Sequence, residues 1–72
     1  METETRVMLP WAERAADILK TKERSWFWLA RRLGISRQTL SLSVLGRRPL
    51  SSEEQQKIAL ILEVPESLLF RD

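Results

Sequence analysis

Two glycines are all that this chain of 72 residues contains, Gly34 and Gly46, and they divide its middle into short pieces. A glycine takes the left-handed backbone conformation that stops a helix without a side-chain penalty. The stretch from Ser25 to Gly46 reads SWFWLARRLGISRQTLSLSVLG. In its first part Leu29, Ala30 and Leu33 recur at helical spacing, so one face can pack inward. Gly34 then ends that helix, Ile35 supplies an apolar plug in the turn, and Ser36 is a good N-cap for a second helix. From about Arg37 to Leu45, Leu40 and Val44 lie one turn apart on one face, and Gly46 closes the segment. Helix, glycine turn, helix is the pattern that results.

The rest of the chain supplies helices to pack behind this unit. Pro10 suits the first position of a helix, where its missing N–H costs nothing. Trp11, Ala15, Ile18 and Leu19 then follow the spacing of a buried stripe, with Glu13, Arg14 and Asp17 opposite, and the helix ends near Lys20 or Thr21. Ser25 caps the next helix. After Pro49, Ser51 followed by Glu54 forms a capping box for a fourth helix. Ile58, Ile61 and Leu62 are its core stripe, Ala59 allows close approach, and Val64 ends it before Pro65 opens a last short turn. Leu68, Leu69 and Phe70 seal the far side of the core. The expected fold is all-α, about five short helices in one domain over residues 9–72, after a flexible segment over residues 1–8.

An apolar fraction of 43% is ordinary for a globular domain, and the length is near the lower limit for a self-sufficient core. With neither cysteine nor histidine, the chain offers no disulfide, no thiolate or imidazole metal site and no histidine acid–base chemistry. Glu53, Glu54 and Glu63 have an ordinary solvated-helix explanation, and nothing forms a nucleophile–base pair, so neither an enzyme nor a cofactor is expected. No apolar run is long enough to cross a membrane, and METETRV lacks the apolar centre of a signal peptide, which points to the cytoplasm.

Charge is distributed unevenly. From Lys20 to Arg48, eight basic residues face the single Glu23, a segment charge of +7, whereas the remaining segments carry −5. A basic centre between acidic flanks is the footprint of a protein that approaches a polyanion with one face.

The segment LARRLGISRQTLS, followed by a glycine, resembles the helix-turn-helix of the Cro-like phage repressors, the xenobiotic-response-element family. The likeness continues through RRPLSSEEQQKIALILEVPESLLF, and spans Trp11 to Phe70. It implies a lambda-repressor-like bundle that binds duplex DNA as a homodimer, working in the nucleoid of a bacterial or phage-infected cell. By that resemblance the helix after Gly34 lies in the major groove and turns Arg37, Gln38, Ser41 and Leu42 to the bases. Arginine can pair bidentately with guanine, glutamine with adenine, serine can bond a base or phosphate, and leucine can rest on a thymine methyl. Phosphate contacts are expected from Trp26, Ser36, Thr39, Arg47 and Arg48, with Trp26 standing where the family often has glutamine. Dimer or partner contacts are expected among Trp28, Leu45, Leu69 and Phe70.

Two features depart from the family pattern. Helix 2 opens with WFW; packing places Trp26 and Phe27 in the core and leaves Trp28 with Arg31 and Arg32 on a more exposed face. Ser43 stands where a large apolar residue is usual, while Val44 and Leu45 stand at often polar positions. Either the small serine is accommodated and its apolar neighbours turn differently against the core, or part of the set is exposed for a partner. The leading reading is a small sequence-specific repressor on a two-fold operator. Excisionase-like or architectural DNA binding uses the same surfaces, and a protein-binding module on the same scaffold, such as an antirepressor or partner subunit, is the other class.

Overall fold

The computed structural model describes residues 8–70, five helices in the order α1 (Pro10–Thr21), α2 (Trp26–Leu33), α3 (Arg37–Val44), α4 (Ser52–Leu62) and α5 (Glu66–Phe70). No strand occurs among the described residues. The segment expected to be flexible falls outside them except for Met8, which packs against the core.

Local chemistry starts and stops each helix as its residues require. Ser25, Ser36 and Ser51 each accept a hydrogen bond from a backbone N–H in the first turn, of Trp28, Thr39 and Glu54 respectively. At α4 the box is complete, because the Glu54 carboxylate also accepts from the Ser51 backbone N–H at 3.0 Å. Gly34 caps α2 at φ +80° with open space around its α-carbon, so glycine is needed there for its backbone alone. Gly46 is doubly constrained: φ is +82°, and a Cβ would meet the Leu9 side chain at 3.3 Å. That contact belongs to a cross-tie in which the Leu9 N–H donates to the Val44 carbonyl at 3.1 Å, fastening the entry to α1 onto the end of α3.

One helix ends earlier than its apolar pattern implies. α4 stops at Leu62, and Glu63 takes the left-handed cap at φ 62° that glycine usually fills, with the Val64 N–H closing back onto the Ala59 carbonyl. The turn residue is a glutamate, so no glycine marked the stop.

The core joins all five helices. Trp11, Ala12, Ala15 and Leu19 from α1 meet Leu29 and Ala30 from α2, Leu40 and Val44 from α3, Ile58, Ala59 and Leu62 from α4, and Leu69 from α5. Ile18 and Ile61 are only half-buried at its margin. Trp11 is the hinge of the aromatic packing: Trp26 meets it edge-on at 6.4 Å between ring centroids and Phe70 lies tilted against it at 5.5 Å. Arg14, expected on the solvent side, instead reaches α5 and donates to the Leu69 carbonyl at 2.6 Å, capping the last helix.

Candidate nucleic-acid interface

α3 settles the arrangement that its sequence left open. Leu40, Ser43 and Val44 face inward and are buried, whereas Arg37, Gln38, Ser41 and Leu42 are exposed and form one continuous outward stripe. Leu42 is 44% exposed and Leu45 half-buried. The apolar cluster that would have suited a protein partner is therefore split, with Val44 inside and only Leu42 exposed.

Ser43, at 1% exposure, sits in the core without an orphaned hydroxyl. Its Oγ accepts from Arg48 Nη1 at 2.7 Å, and Arg48 Nη2 in turn donates to Glu54 Oε2 at 2.6 Å. The small serine leaves the room through which the guanidinium reaches inward. Arg48, expected at a phosphate, serves in the fold as a strut: Nη1 and Nη2 each make an internal bond, linking α3, the following turn and the capping box of α4. Sequence spacing within a basic turn carried no sign of this, although a serine at an apolar position signalled that something polar must satisfy it.

The same strut holds the Glu54 carboxyl below its usual range, chiefly through the Arg48 hydrogen bond and next through that from the Ser51 backbone, with partial burial opposing. A depressed folded-state value adds stability that is present above the unfolded value, about 4.3, and is lost as pH falls through the folded one. We expect Glu54→Gln to lower Tm at pH 7 by about 4–8 °C, the shift for about 1 kcal/mol in a domain of this size. The two proteins should converge as the pH falls below the native carboxyl's titration. Melting curves that run parallel from pH 7 to pH 2 would remove the strut from the stability of the fold.

Around α2 the assignments reverse. Phe27 is 53% exposed, while Trp28 is half-buried and packs against the core. The Arg24 and Arg32 guanidiniums lie over the Trp28 ring at 5.2 and 5.7 Å, so cations one turn away on either side cover it. Trp26 is half-buried against Trp11, which makes it chiefly a packing residue at the position from which a phosphate contact was expected. Ser36 and Thr39 share a hydrogen bond at 2.8 Å between hydroxyls, and Ser36 Oγ also accepts from the Thr39 N–H at 3.0 Å. Both hydroxyls therefore serve the α3 cap first. Leu69, a candidate partner contact, is wholly buried and belongs to the core; Phe70 is half-buried against Trp11.

The electrostatic arrangement is asymmetric. α1, α4 and α5 each carry glutamate in the first turn, which offsets the positive end of a helix dipole; α2 and α3 carry none. Their two N-termini open onto one concavity of about 490 Å³, whose lining includes Lys20, Arg24, Ser25, Trp26, Phe27 and Arg37. Beside it a second open groove, about 410 Å³, is lined by Phe27, Arg37, Gln38 and Ser41. Lys22 is withdrawn from this field by its 3.1 Å pair with Glu63, but Arg37 and Arg47 are exposed and make no ion pair among the described residues. Uncompensated helix ends, convergent cations and a stripe of hydrogen-bonding side chains can hold phosphates and read base edges.

Compared with known protein families and with curated proteins, the chain matches none. Among the described residues, no group of acidic, histidine or cysteine side chains is placed to hold a metal ion, and no helix is long and apolar enough to cross a membrane.

Proposed function

We propose that this protein binds double-stranded DNA sequence-specifically, as a small phage- or prophage-type transcriptional repressor of the Cro-like kind. The observation that carries the reading is the outward stripe of α3, where Arg37, Gln38, Ser41 and Leu42 stand together beside a basic concavity. α3, about 10–12 Å across with its side chains, matches a major groove about 12 Å wide. Arg37 and Gln38, in its first turn, are at the end that reaches base edges in this mode of docking. Phosphates are held by Arg47 and by the N-terminal ends of α2 and α3, with Lys20 and Arg24 as long-armed cations nearby. A homodimer places two such helices about 34 Å apart, one turn of the duplex, and excludes polymerase by occupancy. The protein-binding alternative draws less support, since Val44 is buried and Leu45 half-buried.

Selection from a random duplex pool tests this directly. An inverted repeat should be enriched, and its affinity should fall steeply with salt. Arg47→Ala should weaken enriched and scrambled duplexes alike and make the slope of log K against log salt shallower by about 0.9, the share of one phosphate contact. A pool from which nothing is enriched, bound weakly and equally whatever the sequence, would sink specific reading.

A further inference from the structure

The largest aromatic surface left in water on this side of the molecule is Phe27. Trp26, Trp28, Leu29, Ala30 and Leu33 already meet the packing needs of α2, so the fold does not require this ring in the core. It does not project at random either. The Arg31 guanidinium, one turn further along α2, lies 5.8 Å from the ring centroid and covers it from one side. The ring lines the open groove that also contains Arg37, Gln38 and Ser41. Three hydrogen-bonding side chains and one apolar ring thus share a single concavity, amid cations that favour a polyanion over an apolar protein partner.

We propose that Phe27 is a fifth base-reading residue, whose ring packs on the 5-methyl group of a thymine in the major groove. This rests on the DNA-binding reading above. Base edges there are otherwise donors and acceptors, and the thymine methyl is the apolar group a ring can match. Arg31 beside the ring is available to an adjacent phosphate, which would hold the backbone while the ring meets the base.

The test uses the duplex enriched by the wild-type protein, with each thymine replaced in turn by deoxyuridine. That change deletes the methyl and leaves the hydrogen-bonding edge intact, without altering the protein. At one thymine, wild-type affinity should fall roughly three- to fivefold, the worth of one buried methyl. The same loss should persist in Leu42→Ala and vanish in Phe27→Ala, whose Tm should stay near the wild-type value because the ring is exposed. Should Phe27→Ala melt early, Phe27→Gln gives the same readout. A flat deoxyuridine scan, or one in which no thymine's methyl effect both vanishes in the Phe27 variant and persists in Leu42→Ala, overturns the assignment while leaving DNA binding intact; a thymine with the opposite pattern is the one that Leu42 meets. If the wild-type protein enriches no duplex at all, the failure lies in the DNA-binding reading, and this assignment falls with it.

Discussion

Leu40→Ala should remove about 2–5 kcal/mol of folding stability, whereas Leu42→Ala, two residues along the same helix, should cost no more than about 1 kcal/mol. Leu40 is 1% exposed and joins α3 to the core, so truncation leaves a cavity that a single short helix cannot refill. Leu42 is 44% exposed, so its truncation leaves a smaller void that is open to solvent. Against the roughly 4–11 kcal/mol available to a chain of this length, the first change takes a large share and should put part of the population in the unfolded state at 37 °C. Urea titration of both variants at 25 °C measures the difference. Equal losses would mean that α3 is not rotated as described, and the outward stripe would have to be redrawn.

The second large effect concerns recognition. With Arg37 exposed at the start of α3 and without an ion-pair partner among the described residues, its fork is available to a guanine. Arg37→Ala should cost about 1–3 kcal/mol on the preferred duplex, and should abolish discrimination at one base pair while leaving the others unchanged. Arg37→Lys should recover little of it, because an ammonium cannot reproduce the planar two-point contact. Titration against the preferred duplex and its single-base variants reads both quantities. A uniform loss on every sequence would reassign Arg37 to a phosphate.

What the sequence made legible was mainly local chemistry. The serine caps at positions 25, 36 and 51, the box completed by Glu54, and the left-handed turn at Gly34 each depend on residues within three or four positions of one another. Such patterns are self-contained, and all five appear in the folded chain. What escaped were choices made by distant partners. α2 has only eight residues and bulky apolar side chains around much of its circumference, so periodicity could not rank Phe27 against Trp28. Arginines at positions 24 and 32 and packing against the core decided it. Arg14 is expected on the solvent side and Arg48 at a phosphate, yet each finds an internal acceptor, Arg14 on a helix at the other end of the chain. At Glu63 the local rule itself misled, since a non-glycine residue fills the left-handed position. In the candidate site, the outward residues of α3 were legible through the family resemblance, whereas Phe27 became visible only once the core was seen to be complete without it.

The division of α3 has a consequence for how proteins of this shape can diversify. Every residue that fastens the helix to the body faces inward, and the Arg48 strut grips it from behind at Ser43. The four outward positions carry almost none of that burden. On the proposed DNA-binding reading, their identities can drift, one substitution at a time, through a succession of different target words without the chain first having to acquire spare stability. Vocabulary and scaffold are separable here, and a lineage can rewrite the one while inheriting the other.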